Sequence, residues 1–144
     1  MPGIGLLTAT AHFAFVVDVQ RFPSARHLAS YLGLTPRERS SGNTRRLGSI
    51  TKKGDVYLRT LLAHGARSVL ARAKQATGPA RRDRLREWAV KVEKARGHNK
   101  AAVALANKMA RLVWAVWWAS RPLLNDWLPC GRIPSWPGAK RAPA

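Results

Sequence analysis

The chain has 144 residues, a length that suits one domain and leaves little room for two. Lysine and arginine total 26 against 7 acidic residues, a net charge of +19, while 46% of the residues are hydrophobic. That apolar content can build a core, so the composition excludes a disordered basic tail and predicts a folded domain with a polyanionic partner. The single cysteine, Cys130, excludes an internal disulfide framework and a cysteine-rich zinc site, and it favours a reducing compartment.

The sequence also argues against export and membrane insertion. The first 17 residues are mostly apolar, but they lack a basic leading segment and His12 interrupts them, so a secretory signal is not expected. The longest later apolar run, Leu112 to Ala119, is too short to span a bilayer. We therefore expect a cytoplasmic protein with no membrane partner.

The first two predicted elements are helices. The glycine turn Pro2 to Gly5 leads into the apolar stretch Leu6 to Val19, which favours a buried helix, although its aromatic and β-branched residues equally suit a strand. Ser24 is the predicted N-cap of a helix over Ala25 to Leu32, which Gly33 closes. A Gly-x-Gly turn before a helix can present backbone amides to a phosphate, as helix-hairpin-helix turns do, and it can equally be a plain turn.

A long basic loop is predicted between the second and third helices. Leu34 to Lys53 shows no hydrophobic periodicity, and a connection of about twenty residues inside a compact domain is usually functional or disordered. Its arginines surround two hydroxyl groups, those of Ser40 and Ser41. A serine that attacks a phosphodiester needs cations on the phosphate oxygens, and this loop supplies them. Arg-Ser-Ser-Gly is also an ordinary turn sequence, which leaves a structural alternative open.

Three further helices are predicted from apolar residues at helical spacing. They cover Asp55 to Gln75, Arg81 to Arg96, and Lys100 to Ser120, with Thr77 to Pro79 ending the first of them. The prediction is thus an all-α fold of about five helices with a helix-hairpin-helix-like start. Residues 1–120 form the helical domain, and the proline- and glycine-rich residues 121–144 form a loose tail.

Most of the positive charge lies in the middle of the chain, since Arg37 to Lys100 contains 18 of the 26 basic residues. Some of these residues surround the start of the third helix, where backbone N–H groups favour an anion, although a solvated face would look the same. The predicted nucleic-acid-binding residues are Arg37, Arg39, Arg45, Arg46, Lys52, Lys53, Arg59 and Arg67.

Metal ligands and aromatic stacking residues are the remaining candidates for a site. The four histidines fall one to an element and the acidic residues are isolated, so we predict no metal site in this chain. Trp114, Trp117 and Trp118 could stack on bases, but at helical spacing they more often pack in a core or against a partner helix.

Several segments in a fixed order resemble the C-terminal transposase domain of a family of bacterial insertion-sequence transposases, the RNA-guided serine/DEDD family. The resemblance covers about residues 2 to 119. The segments that carry it are Pro2 to Gly5, Phe22 to Glu38, Ser40-Ser41-Gly42, Ile50 to Asp55, Tyr57 to Leu62, His64 to Arg67 and Asn99 to Arg111.

The resemblance implies DNA strand exchange through a covalent serine–DNA intermediate, in a homo-oligomeric complex guided by a structured noncoding RNA. The family's serine stands directly before the loop glycine, which corresponds to Ser41, with Ser40 as the alternative because the doublet leaves the register open. An N-terminal ribonuclease-H-like domain with four acidic residues, which implies Mg²⁺, belongs to the same family. The expected location is the bacterial cytoplasm, at the nucleoid.

Two departures from the family limit this expectation. The acidic domain has no counterpart here, and Ser120 to Ala144 does not resemble the family's ending. We therefore expect a truncated transposase that is inactive alone, with no cofactor on this chain. The alternatives are a free-standing basic module that binds nucleic acid without catalysis, and an interaction domain that docks through its tryptophan-rich last helix.

Overall fold

A computed structural model describes residues 1–75 and 83–127, with the backbone alone for 121–127. Five α-helices and a two-stranded hairpin make up this part of the chain, which confirms the predicted all-α class. In chain order they are α1 (Leu6–Val16), a short 3₁₀ turn (Val19–Arg21), α2 (Ala25–Tyr31), β1 (Pro36–Glu38), β2 (Leu47–Ile50), α3 (Val56–Gln75), α4 (Arg84–Arg96) and α5 (His98–Trp127).

Helices α1 and α2 begin where the sequence predicts, and α3 begins one residue later. The prediction is wrong for α4, which begins at Arg84 instead of Arg81, and for α5, which begins at His98 instead of Lys100. The helix caps also differ from the prediction. The strand alternative for the first segment is wrong, because α1 follows directly on Gly5. Ser24 precedes α2, yet its hydroxyl contacts His27 Nδ1 at 2.8 Å and caps no backbone amide. Asp55 and Asp83 are side-chain caps: each Oδ1 accepts a backbone N–H of the first turn of α3 and α4, at 2.7 and 3.0 Å.

The last helix is longer than the sequence predicts. It runs through Pro122 to Trp127 and so includes the start of the segment expected to be a loose tail. A proline removes one backbone donor from a helix, and here the helix continues across it. The remainder of that predicted tail, and the turn at Thr77 to Pro79, lie outside the described residues.

The core is built around α5, which packs against α2, α3 and α4. Its buried face carries mainly small residues, so the neighbouring helices approach closely. Those residues are Ala101, Ala102, Leu105, Ala106, Met109 and Ala110. The helical face predicted for α3 is confirmed, because Leu58, Leu62, Val69 and Leu70 are buried and Leu61 packs against the core. No helix in the described ranges is long and apolar enough to cross a membrane.

A buried histidine lies within α1. His12 is 1% exposed, and its Nδ1 lies 2.8 Å from the carbonyl oxygen of Thr8. Its Nε2 has no hydrogen-bond partner among the described residues. Burial lowers the pKa of His12, against the opposing effects of the Thr8 contact and of the Asp55 carboxylate. Burial therefore favours the neutral form of the ring.

The basic segment between α2 and α3 lies where the sequence predicts it, but it is a β-hairpin rather than a structureless loop. Pro36 pairs with Ile50 and Glu38 with Leu47, and the register shifts by one residue between the two pairs. Apart from Ile50, which is half-buried, every strand residue is exposed. With no face to bury, the strands lack the alternating apolar pattern that would have revealed them.

Glycine fixes the hairpin to the helices at its base. Gly54 has a φ of +149°, and a side chain there would collide with the carbonyl oxygen of Tyr31 at the end of α2. Gly33 lies against the backbone of Lys52 and Lys53 and accepts the Lys52 N–H at 3.1 Å. The two ends of the hairpin segment are thus in backbone contact with each other.

Candidate nucleic-acid interface

The hairpin tip is a tight turn that places the serine doublet in solvent. The Ser41 N–H donates to the Thr44 carbonyl at 3.3 Å, and the Thr44 N–H donates to the Ser41 carbonyl at 3.2 Å. Gly42 makes the turn with a φ of +55°. At the other end of the hairpin, the Asn107 side-chain amide of α5 donates to the Leu34 carbonyl at 3.2 Å. The base is anchored and the tip projects.

The two serine hydroxyls have different surroundings. Ser40 Oγ donates to Glu38 Oε1 at 2.8 Å and accepts the Arg46 N–H at 3.2 Å, so this hydroxyl helps to hold the two strands together. Ser41 Oγ makes no hydrogen bond with any residue in the described part of the chain. Its residue is exposed beside the turn glycine. Of the two serines, Ser41 therefore has the more accessible hydroxyl.

Four of the predicted nucleic-acid-binding arginines lie on the hairpin. Arg37 Nη2 donates to the Thr51 carbonyl at 3.3 Å, which ties this side chain to the base. Arg45 Nε lies 3.4 Å from Glu38 Oε1, and both side chains are more than half exposed, so the ion pair is weak. Arg39 and Arg46 form no ion pair with a described residue. The hairpin therefore presents excess positive charge on β1 and on both sides of its tip.

The structure divides the other four predicted cations into two groups. Lys52, Lys53 and Arg67 are exposed. Arg59 is half-buried, and its Nη1 donates to the carbonyl oxygens of Leu32 at 3.2 Å and Gly54 at 3.5 Å. Arg59 thus stabilises the junction between α2 and α3, a structural role that its spacing from Arg67 does not reveal.

The described residues do not fit the magnesium site that the resemblance implies for the family. Glu38 is the only acidic residue of the hairpin, and it is already engaged by Ser40 and Arg45. Across residues 1–75 and 83–127, no three histidine, cysteine or acidic side chains converge on a point where they could hold a metal ion. No catalytic step through a metal is derived from these residues.

Trp114 and Trp117 of α5 pack against other parts of the chain. Trp114 Nε1 donates to the Phe22 carbonyl at 3.1 Å, and its ring stacks on Trp118 with centroids 5.1 Å apart. Trp117 contacts the ring of Phe13 in α1 at 5.6 Å. These contacts favour the core alternative over base stacking for Trp114 and Trp117.

An ionic cluster that the sequence did not reveal connects three helices. Glu93 Oε1 in α4 lies 2.8 Å from Lys74 Nζ of α3 and 2.6 Å from His98 Nδ1 of α5. Hydrogen bonds lower the pKa of the Glu93 carboxyl, with the larger effect from Lys74 and the smaller from His98. Lys74 and Glu93 belong to different helices, so no spacing along the chain marks the cluster. The cluster therefore links α4 to both α3 and α5.

Comparison with known proteins identifies the family. Residues 1–81 match the profile described as Transposase IS116/IS110/IS902 family. The chain is 45% identical over 116 residues to the transposase for insertion sequence element IS1111A of Coxiella burnetii, which is 81% of this chain and 30% of that protein.

Two further relatives agree. A probable family 20 transposase of Pseudomonas aeruginosa is 45% identical over 114 residues, which is 79% of this chain and 32% of the relative. The transposase for insertion sequence element IS1328 of Yersinia enterocolitica is 39% identical over 117 residues, 81% of this chain and 33% of the relative. The chain therefore spans about a third of the length of these curated relatives, and it belongs to the IS116/IS110/IS902 family of transposases.

Proposed function

We propose that this chain is the nucleic-acid-binding, serine-bearing part of an insertion-sequence transposase, and that Ser41 is its nucleophile. Two features support the assignment. The relatives that match most of the chain are named as transposases. The hairpin combines a serine hydroxyl that makes no hydrogen bond among the described residues with arginines on both sides of its tip, which can stabilise the charge on a phosphodiester under attack.

The proposed reaction is a transesterification at a DNA backbone phosphate. Ser41 Oγ forms a bond to phosphorus, and the bond from phosphorus to one deoxyribose oxygen breaks. A general base accepts the serine proton, and the leaving deoxyribose oxygen receives a proton. The product is a serine–DNA phosphodiester. A different deoxyribose hydroxyl then attacks its phosphorus, the bond to Ser41 Oγ breaks, and the strand is joined to a new partner. The hairpin arginines stabilise the negative charge on the phosphate oxygens.

The resemblance extends the proposal beyond this chain. It assigns the partners as DNA, a structured noncoding guide RNA and further copies of the transposase, acting at the bacterial nucleoid. It assigns Mg²⁺ to the acidic ribonuclease-H-like domain, where the metal would stabilise charge on the reacting phosphate. Among the described residues, no carboxylate or imidazole lies within hydrogen-bonding distance of Ser41 Oγ, so the proposal places the general base outside them.

The proposal depends on the difference between the two serine hydroxyls. A chimera tests which of them is the nucleophile. This chain replaces the matching 116 residues of the IS1111A transposase, with which it shares 45% identity, so that the rest of that protein is present. We expect the chimera and its Ser40→Ala variant to form a covalent protein–DNA adduct on denaturing gels. Ser41→Ala should abolish the adduct and leave DNA binding intact. An adduct that survives in Ser41→Ala would contradict the assignment.

The second candidate function is binding of nucleic acid without catalysis. It is favoured by the absence of any base beside Ser41 in the described residues. Under this function the hairpin is a phosphate-contacting turn, and Ser41→Ala would change nothing in the chimera, which would itself form no adduct.

Both functions require the hairpin to bind a nucleic-acid backbone, which the isolated chain can test. We expect the double variant Arg45→Gln and Arg46→Gln to bind a short DNA duplex more weakly than the parent chain. The slope of log K against log salt should fall by about 0.9 for each lost phosphate contact. Lys94→Gln with Arg111→Gln removes the same charge from exposed positions on α4 and α5 and should leave the slope close to that of the parent.

A further inference from the structure

Two aromatic rings form an exposed pair where α1 meets the start of α3. Phe15 of α1 and Tyr57 of α3 have ring centroids 5.7 Å apart, with their planes inclined at 48°. Phe15 is 52% exposed and Tyr57 is 46% exposed. Each ring therefore contacts the other and also presents a large part of its surface to solvent.

A second aromatic pair shows what packing looks like in this fold. The rings of Phe22 and Tyr31 lie 5.2 Å apart, and Phe22 is 7% exposed and belongs to the core. In the pair of Phe15 and Tyr57, neither ring is buried in this way. Aromatic side chains stabilise a fold mainly through the area that they bury, so packing gives little reason for two half-exposed rings at this place.

Positive charge lies next to the pair along the chain. Lys52 and Lys53 stand five and four residues before Tyr57, are exposed, and form no ion pair with a described residue. The nearest acidic residue, Asp55, is engaged by the backbone, since its Oδ1 accepts the Leu58 N–H at 2.7 Å. Exposed rings beside cations are the combination with which proteins bind single-stranded nucleic acids, because the rings stack on bases and the cations contact phosphates.

Backbone strain marks the same place. Within residues 1–75 and 83–127, two non-glycine residues have a positive φ, Val17 at +61° and Lys52 at +55°. Val17 follows Phe15 by two residues at the end of α1, and Lys52 precedes Tyr57. A β-branched residue seldom adopts a positive φ, and strained positions of this kind cluster at functional sites. The strain is an observation independent of the exposure of the rings and of the charge.

We propose that Phe15 and Tyr57 form a stacking platform for an unpaired base of a nucleic acid, with Lys52 and Lys53 on the adjoining backbone phosphate. The inference rests on the proposed function, because it takes the ligand to be the nucleic acid that the hairpin binds. Every base has a π face, so the platform binds unpaired nucleotides of any sequence. A paired base is stacked between its neighbours in the duplex, which leaves no face for the rings.

Leucine variants test the platform, with a matched control on the same helix. Phe15→Leu and Tyr57→Leu keep an apolar side chain and remove the aromatic face. Phe13→Leu makes the same change at a ring that is 55% exposed and contacts Trp117 of α5 instead of Tyr57. The ligands are a single strand, the same strand with abasic sites, and a duplex, each prepared as DNA and as RNA. Fluorescence anisotropy measures affinity, and circular dichroism checks the helix content of every variant.

We expect each platform variant to weaken binding of the single strand by about 5- to 100-fold, the range for loss of one stacked base. Phe13→Leu should bind as the parent chain does, and so should Tyr57→Phe, which keeps the ring. Duplex binding and the salt slope should stay unchanged, because no phosphate contact is lost. The parent chain should bind the abasic strand as weakly as the platform variants do. The arm with the larger loss identifies DNA or RNA as the source of the base.

Single-strand binding by both platform variants that equals that of Phe13→Leu overturns the inference, and so does an equal loss on the abasic strand. A changed oligomeric state at unchanged affinity also overturns it, because the rings would then form a protein contact. If the hairpin double variant weakens binding while the platform variants do not, the proposed function stands and only the platform fails. A parent chain that binds neither single strands nor duplexes contradicts both.

Discussion

The serine hairpin and the helical core are held together by different interactions. In the core, α5 buries a continuous face against three other helices, and most of the largest fully buried side chains are leucines. In the hairpin, β1 and β2 bury almost nothing, and what holds them is a set of backbone bonds together with Ser40 and the Glu38–Arg45 pair. Burial supplies most of the free energy of folding, so the core carries the stability of this chain.

This contrast indicates where substitutions are tolerated. Exposed polar contacts contribute little to stability, so hairpin residues can be substituted with little change in the free energy of unfolding. Core residues are chosen for volume and shape, since the interior is close-packed. Substitutions in the two regions should therefore separate stability from nucleic-acid binding.

The largest expected effect comes from the core. Leu62 in α3 is fully buried, and Leu62→Ala should lower the free energy of unfolding by about 2–5 kcal/mol, through lost burial and the cavity left behind. Leu47 on β2 is 51% exposed, and Leu47→Ala should change it by less than about 0.5 kcal/mol. Urea denaturation followed by circular dichroism measures both. Equal losses would remove the distinction between the two regions.

The junction of the two regions should give the next largest effect. Gly54→Ala puts a side chain onto the Tyr31 carbonyl oxygen in a backbone conformation that favours glycine, and it should cost about 1–3 kcal/mol. Gly48→Ala is the control, because the nearest atom to its added side chain would lie 3.8 Å away. The melting temperatures of the two variants measure this difference. A melting temperature for Gly54→Ala equal to that of the control would show that the backbone at the base of the hairpin shifts to accommodate the side chain.

Acid should weaken the core through His12. Its pKa is lower in the folded chain than the ordinary value of 6.5, so the unfolded state binds more protons as the pH falls below that value. The stability contributed by neutral His12 is complete above pH 6.5 and is lost progressively below it, by at most about 1.4 kcal/mol per pH unit.

The variant His12→Leu isolates this effect. It should flatten the decline of stability between pH 6.5 and more acidic conditions, measured by urea denaturation at several pH values. The pH dependence that remains at still lower pH should include the Glu93 cluster, because a lowered carboxyl pKa makes stability fall as Glu93 becomes protonated. A decline as steep in His12→Leu as in the parent would contradict the role given to His12.

The smallest expected effect lies in the hairpin. Ser40→Ala removes the acceptor of the Arg46 N–H, so that amide should exchange with solvent faster, while the free energy of unfolding changes by about 1 kcal/mol or less. Ser41→Ala removes no such bond and should leave Arg46 exchange unchanged. Hydrogen exchange followed by nuclear magnetic resonance compares the two. Faster exchange in both variants would mean that the two hydroxyls are equivalent.

The sequence predicted the helices because burial imposes a repeat on the chain. Leu58, Leu62 and Val69 recur at helical spacing because they share one face against the core, and the same holds for Ala102, Ala106 and Met109. The hairpin has no such constraint, so its strands could not be found from the pattern. The helix ends at Val16 and Trp127 differ from the predicted ends because local signals compete there with packing.

The sequence predicted which residues form the candidate site, but it did not predict how they are arranged. The doublet and its arginines are visible in the sequence, whereas the engagement of Ser40 by Glu38 and Arg46 depends on strand register. Arg59 looked like a phosphate contact and instead bonds to Leu32 and Gly54. The close contact of Gly3 with Gly65 joins two distant parts of the chain, and no local motif encodes it. The nucleophilic role of Ser41 stays a prediction.

Because a backbone contact closes the base of the hairpin, the segment between Gly33 and Gly54 can be replaced by a different hairpin. Both ends are fixed to each other and to α2, and the strands between them bury almost nothing. A hairpin of different length or sequence could be grafted between the two glycines without redesigning the helices. The helices thus form a base on which the hairpin can be replaced as a unit.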